Sequence, residues 1–144
     1  SEAYNNFIVN TIKEKSPTVA SILQKEINRQ RDTVELIASE NFIDDAIMAV
    51  NGSPFLLKYT EVYSPNKKLG SKGRYYGGCQ FFDELEDYAC KKLQEAFNTE
   101  YYVNVQPHSG SSANMEAYSA VLHPRDTILA MDLSAGGWVK VASL

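Results

Sequence analysis

The sequence predicts an α/β protein, in which an N-terminal helical arm leads into a domain with an incomplete parallel or mixed sheet. Two observations carry this prediction. An apolar stripe with helical spacing follows Ser16, and a strand–turn–helix–strand order occupies residues 101–133. That order is a βαβ unit, whose strands are parallel. Because parallel sheets are normally covered on both faces, and the chain ends soon after the second strand, we expect only the first part of a larger domain.

The helical arm has clear local signals. Ser16 can cap a helix and the proline that follows it is pre-set for the first turn, so a helix is predicted over 18–31. The segment 34–42 has the wrong period to prolong that helix and is predicted to be an extended loop. A second short helix is predicted from Asp44 to about Gly52.

The second half carries the predicted βαβ unit. Residues 83–98 have apolar positions on one face, with acids early and lysines later, which indicates a helix. Strands are predicted at 101–105 and 126–133, and a helix at 111–122 between them. We therefore expect three parts: an arm over 1–52, irregular active-site and interface loops over 53–82, and the start of the large domain over 83–144.

Composition limits the class of protein. Of 144 residues, 44% are apolar and 22% charged, as in a soluble globular protein, and the net charge of −4 gives no reason to expect nucleic-acid binding. No apolar run approaches the roughly 18 residues of a membrane span. Two cysteines without paired spacing and only two histidines predict a reduced, cytoplasmic protein without a metal site.

The turn HSGSS, residues 108–112, lies between the first predicted strand and its helix. Exposed N–H groups at a helix start, beside serine hydroxyls and a glycine, can bind a phosphate. The alternative is that Ser111 or Ser112 only caps the helix, which is the commoner role of such residues.

Three other motifs each permit two interpretations. RYYGG at 74–78 can clamp a carboxylate or cover a flat ring, or form a turn with aromatic packing. KYTEVY at 58–63 aims a phenol and a carboxylate in one direction, which suits proton transfer, although an ordinary exposed glutamate is commoner. ELIASEN at 35–41 offers ligand contacts or helix caps.

A glycine pair followed by Trp138 comes after the second predicted strand. Ligands bind at the carboxyl ends of strands in open α/β sheets, but a tryptophan buried in a turn is the commoner case.

The order of these motifs resembles that in serine hydroxymethyltransferases. ELIASENF, RYYGGC and NVQPHSGSSAN are nearly the family's own wording, and KYTEVY and DTILAMDL…GG follow the same order. The resemblance implies the fold of the fold-type-I pyridoxal-phosphate enzymes and the interconversion of serine and glycine, with a one-carbon unit passed to tetrahydrofolate. It also implies a homodimer whose active site straddles the interface.

The resemblance implies a role for each matched residue. Tyr59, Glu61 and Tyr76 correspond to catalytic residues, the glutamate handling protons at the substrate hydroxyl and folate. The remaining matches are cofactor-phosphate contacts at Ser109, Gly110 and Ser111, substrate contacts at Ser39 and Tyr75, and folate contacts at Leu133 and Gly137.

The chain departs from the family in several places. The loop SPNKKLGSKG is longer than usual, Val62 stands where the family has glycine, and Trp138 replaces a histidine that stacks on the cofactor ring. After the tryptophan, VKVASL diverges. The Schiff-base lysine, the aspartate on the pyridine nitrogen and the carboxylate-binding arginine lie later in family members.

The resemblance therefore predicts a serine hydroxymethyltransferase segment that is inactive alone and associates with a second copy or with the rest of the enzyme. The alternative is a stand-alone, non-catalytic module that binds a full-length enzyme or another chain.

Overall fold

The computed structural model describes residues 1–62 and 73–137. Contacts divide the chain into two compact units, one from Ser1 to Lys58 and one from Tyr59 onward. The three-part division predicted from sequence is not tested by these units and stays a prediction.

The first unit is built on two long helices, α1 (Glu2–Lys13) and α2 (Pro17–Asp32), which pack against each other. The Ser16 hydroxyl accepts the N–H of Val19, so the predicted cap of α2 is confirmed. Ala20 is the residue of α2 that becomes buried, at 3% exposure. The separate helix α1 was not predicted, and its contact with α2 compensates for a sequence with three asparagines.

A short helix, α3 (Asp45–Asn51), completes the arm and is followed by a 3₁₀ turn over Pro54–Leu57. The Asp44 carboxylate accepts the N–H of Ala46 as the helix cap. The N-terminal ammonium of Ser1 pairs with Asp45 in the first turn of α3. The loop before α3 is irregular, as the sequence predicts.

The second unit contains α4 (Gln80–Phe97) and α5 (Gly110–Val121). Both were predicted within three residues of these bounds. Asn98 ends α4 in the left-handed conformation, with φ of 46°, and its N–H bonds to the carbonyls of Gln94 and Glu95. A 3₁₀ turn over Leu133–Ala135 follows later.

Neither predicted strand forms in the part of the chain that is described. Residues 101–105 and 126–132 have no ladder partner and no regular structure. A strand exists only through hydrogen bonds to a neighbour, and here each segment lacks one, so the predicted sheet is not confirmed. Membership of the fold-type-I class is supported by the family comparison reported below.

Little hydrocarbon is buried among the described residues. Only Ala20 and Cys79 count as buried apolar residues, while Leu129 is 100% exposed. The other residues buried to this degree include Asp83 and Glu86, which are charged. Polar contacts therefore organise the second unit.

Candidate active-site cluster around Arg74

Arg74 lies at the centre of a buried group of charged side chains. Asp83 and Glu86 are three residues apart on α4, so both lie on one face of the helix. The Arg74 Nη2 atom is 2.8 Å from Asp83 Oδ1 and 2.7 Å from Glu86 Oε2. Nε also donates to Asp83 Oδ1, at 2.9 Å. The Arg74 side chain is 5% exposed, so solvent screens these ion pairs weakly.

The charge on Arg74 is held by its partners. Burial acts to lower the pKa of Arg74, but hydrogen bonds and charge from Glu86 and Asp83 outweigh it, and the pKa is raised above its usual value. The guanidinium therefore stays charged and can donate through all its N–H groups.

The third guanidinium nitrogen, Nη1, binds three consecutive backbone carbonyls. Arg74 Nη1 donates to the carbonyl oxygens of Thr60, Glu61 and Val62, at 2.6, 2.7 and 3.0 Å. Val62 has a φ of 83°, which is a rare conformation for a β-branched residue. The segment is therefore bent around the arginine.

Gln106, which lies shortly before α5, also binds to this group of residues. Its side-chain amide donates to Val62 O at 2.9 Å and to Glu86 Oε1 at 3.2 Å. We call Arg74, Asp83, Glu86, Gln106 and the carbonyls of residues 60–62 the Arg74 cluster. It borders a cleft of about 460 Å³ that is also lined by Phe82, Leu85, Ala89 and Val105.

The predicted tyrosines and glutamate lie beside this cluster. The Tyr75 N–H donates to Glu61 Oε1 at 2.9 Å, and Glu61 Oε2 is buried with no hydrogen-bond partner within the described residues. The Tyr76 ring packs edge-on against the Tyr59 and Tyr75 rings, with both centroid distances 5.3 Å. The buried Cys79 thiol lies 3.2 Å from the Tyr76 carbonyl. The structure thus brings four of the predicted site residues together.

The HSGSS turn forms a capping box. Ser109 is the N-cap of α5, and its hydroxyl accepts the N–H of Ser112 at 3.3 Å. The Ser112 hydroxyl in turn accepts the N–H of Ser109 at 3.2 Å. The cap expected at Ser111 or Ser112 therefore lies at Ser109, because only that residue has the extended backbone of a cap. Gly110 and Ser111 supply the first two N–H groups of the helix.

Ser39 lies in the first unit, in an exposed turn where the Glu40 N–H bonds to the Ile37 carbonyl at 3.0 Å. Its neighbours Glu40 and Asn41 line a cavity of about 190 Å³ beside α2. The pKa of Glu40 is raised by a hydrogen bond to Glu35 and by the charge of that carboxylate.

The glycine pair after the second predicted strand is confined by its backbone. Gly136 has a φ of +88°, and the Gly137 N–H bonds to the Asp132 carbonyl at 2.8 Å. A Cβ at Gly137 would lie 1.9 Å from the Met131 carbonyl oxygen, so only glycine fits. Leu133 begins the 3₁₀ turn that lies between Asp132 and Gly136. The prediction for Trp138 falls outside the described residues.

Sequence reasoning missed most of the Arg74 cluster. It assigned Arg74 to a possible carboxylate clamp, and the carboxylates turn out to be the chain's own Asp83 and Glu86. The available signal was their spacing on one face of a helix that was otherwise assigned by its apolar face. Gln106 had no signal, since one glutamine after a predicted strand is unremarkable.

The described residues contain no group of three or more histidine, cysteine or acidic side chains placed to hold a metal ion. They also include no helix with the length and apolar character needed to cross a membrane.

Comparison with known proteins identifies the family. The sequence model of serine hydroxymethyltransferase matches residues 12–143. Proteins named serine hydroxymethyltransferase from Lactobacillus johnsonii and Koribacter versatilis are 51% and 47% identical over 124 and 133 residues, or 86% and 92% of this chain. One from Limosilactobacillus reuteri is 50% identical over 124 residues.

The chain spans less than a third of the length of these curated relatives, 28% of the Lactobacillus johnsonii protein and 29% of the Koribacter versatilis protein. Both the match to most of the chain and the sequence identity exceed what a shared fold alone would produce. The chain therefore belongs to the serine hydroxymethyltransferase family, of which it represents an N-terminal portion.

Proposed function

We propose that this chain supplies part of the active site of a pyridoxal-phosphate enzyme that interconverts serine and glycine and passes the one-carbon unit to tetrahydrofolate. The observation that carries the proposal is the grouping of Tyr59, Glu61, Tyr75 and Tyr76 beside the Arg74 cluster. Family membership supplies the reaction. We further propose a cytoplasmic homodimer, or association with the rest of the enzyme, and inactivity of the 144 residues alone.

The start of α5 fits a phosphate. Its first N–H groups, from Gly110 and Ser111, have no acceptor within an α-helix and carry the positive end of the helix dipole. The Ser109 hydroxyl is engaged by the cap, whereas the Ser111 hydroxyl takes no part in it. We therefore assign the direct phosphate contacts to Gly110 and Ser111, with Ser109 fixing the turn. Bound pyridoxal phosphate would supply an electron sink.

Glu61 is suited to hold or move a proton. One oxygen of its carboxylate is fixed by the Tyr75 N–H, and the other, Oε2, is buried without a partner within the described residues. Leaving a buried acceptor unpaired costs about 1–3 kcal/mol, so a donor from a ligand would be favoured there. Tyr59 and Tyr76 are linked to it through ring contacts, since Tyr76 packs against both Tyr59 and Tyr75 and the Tyr75 N–H binds Glu61.

The remaining assignments follow the family. We propose Ser39 and Tyr75 for the substrate, Leu133 and Gly137 for the folate, and Trp138 for stacking on the cofactor ring.

A ligand comparison tests the phosphate site. The chain is expected to bind pyridoxal phosphate more tightly than pyridoxal, measured by absorbance titration. Ser111→Ala should weaken that preference without changing helix content, because the hydroxyl contact is lost and the backbone N–H groups remain. Ser109→Ala should instead lower helix stability by about 1 kcal/mol. Equal affinity for the two ligands, or an unaffected Ser111→Ala variant, would contradict the assignment.

A chimera tests the reaction. This chain replaces the matched segment of the Lactobacillus johnsonii protein, and serine cleavage to glycine is measured with tetrahydrofolate. We expect activity, and a loss of about 100-fold or more in Glu61→Gln, since general acid–base groups contribute about 10²–10⁴-fold. Glu84→Gln, an exposed change on α4, is the matched control. A soluble chimera that binds pyridoxal phosphate but lacks activity would argue against the proposal.

A further inference from the structure

We propose that Arg74 is a positioning residue for Glu61: it fixes the backbone that carries this carboxylate and thereby determines which carboxylate oxygen is left for a ligand. The inference rests on the proposed function, which gives Glu61 its role.

The arginine is anchored on a rigid element. Asp83 and Glu86 belong to α4, an 18-residue helix, and both ion pairs are largely withdrawn from solvent. A guanidinium held by two carboxylates has its plane fixed, because each nitrogen has a set direction for its N–H groups. Nη1 is then left pointing at the backbone of residues 60–62.

The anchored Nη1 atom sets the path of the segment that carries Glu61. In an extended chain successive carbonyls point to opposite sides, yet those of Thr60, Glu61 and Val62 all accept from this one nitrogen. The positive φ of Val62 provides the bend that makes this possible. A lysine has one compact ammonium and cannot bind both acids and the carbonyls in the same geometry.

A second hydrogen bond connects the residue next to Arg74 with the Glu61 side chain. Tyr75 directly follows Arg74, and its N–H donates to Glu61 Oε1. The Arg74 side chain therefore holds the Glu61 backbone, while the backbone next to Arg74 holds the Glu61 side chain. Oε1 is engaged and Oε2 is the oxygen left buried without a partner within the described residues.

Hydrogen exchange of the Tyr75 amide, measured by NMR on the full chain, tests this role. The wild-type amide should be protected by its bond to the carboxylate. In Arg74→Lys the amide should exchange about tenfold faster or more, because a hydrogen bond to a charged acceptor is lost. Arg31→Lys changes an exposed arginine paired with Asp32 and serves as the matched control.

The comparison with α4 separates positioning from stability. A purely structural role would speed exchange throughout α4, whereas positioning predicts a selective effect at Tyr75. Unchanged Tyr75 exchange, or an equal change across α4, would overturn the inference. If Arg74→Lys does not fold, Glu86→Gln decides in the same way: selective acceleration at Tyr75 supports the role, and no change overturns it.

These outcomes are independent of the test of function. An active chimera with Tyr75 exchange unaffected by Arg74→Lys would refute the positioning role and leave the proposed function intact. An inactive chimera with selective acceleration of exchange at Tyr75 would support the positioning role and argue against the proposed function.

Discussion

Val62 has a φ of 83°, in the region where L-residues with a Cβ are strained. The family resemblance implies glycine at this position, and glycine adopts this conformation without a steric penalty. Alanine is usually more stable than glycine inside a helix or strand. At position 62 we expect the opposite order, with Val62→Gly giving a more stable second unit than Val62→Ala.

The magnitude follows from two opposing terms. The left-handed conformation costs an L-residue roughly 1–2 kcal/mol, and alanine keeps that cost. Glycine avoids it but loses about 0.5–1 kcal/mol through the greater freedom of its unfolded chain. Val62→Gly should therefore be more stable than Val62→Ala by about 0.75 kcal/mol, the centre of a difference of roughly 0–1.5 kcal/mol. Comparing the two variants also removes the contribution of the half-buried valine methyl groups, which both lack.

The free energy of unfolding of the second unit is measured by amide exchange in α4, which reports on this unit alone. Ala117→Gly, at an exposed position inside α5, is the control. There the glycine form should be less stable than the alanine form, because glycine costs about 1 kcal/mol relative to alanine in a helix. If Val62→Gly were less stable than Val62→Ala by a similar amount, the backbone at this position would not be strained and the reasoning would fail.

Two further predictions concern other sites. Gly137→Ala should abolish amide protection at residue 137, because its Cβ would meet the Met131 carbonyl oxygen at 1.9 Å. Gly136→Ala meets no atom within 4 Å and should cost only the roughly 1–2 kcal/mol of its positive φ; equal effects would contradict the geometry. The pKa of Glu26 is lowered to about 2, chiefly by its hydrogen bond to Arg29, so its stabilisation is present above pH 4.5 and lost as the pH falls toward 2. NMR titration of Glu26 should show this midpoint, and Arg29→Gln should move it upward; an unmoved midpoint would exclude the pair as the cause.

The helices that sequence predicted are those with local signals. The cap at Ser16 and the apolar face of α4 act over one or two turns, so periodicity and capping rules identified them. Helix α1 carries Asn5, Asn6 and Asn10, which are poor helix formers, and its packing on α2 was not visible in its own letters. Tertiary contact outweighed propensity there.

The predicted strands failed for a related reason. Residues 101–105 and 126–132 have the composition of strands, but composition does not provide a neighbour. The sheet that the family fold implies requires other strands to pair with these segments. The prediction therefore described what the segments are suited to, while the structure of this chain records them without partners among the described residues.

The site was predictable as a set of residues but not as a geometry. Motif order pointed to Tyr59, Glu61 and Tyr76, and all three lie together. The hydrogen bonds that hold the backbone around Glu61 come from Arg74 and Gln106, whose partners lie up to 44 residues away in sequence. No local rule relates residues at that separation, because the contact exists only once the chain has folded.

Burial of the charged side chains in the Arg74 cluster contributes to the position of Glu61 more than to stability. Removing two carboxylates and a guanidinium from water costs several kcal/mol per ion, and the attraction between them only about offsets this cost. Such a cluster is therefore a poor source of stability in a unit where Cys79 is the one buried apolar side chain among the described residues. What it does supply is direction: three carbonyls and one N–H are fixed relative to α4, and Glu61 is fixed with them. A chain that buries charge in preference to hydrocarbon at this point gains a defined position for one carboxylate.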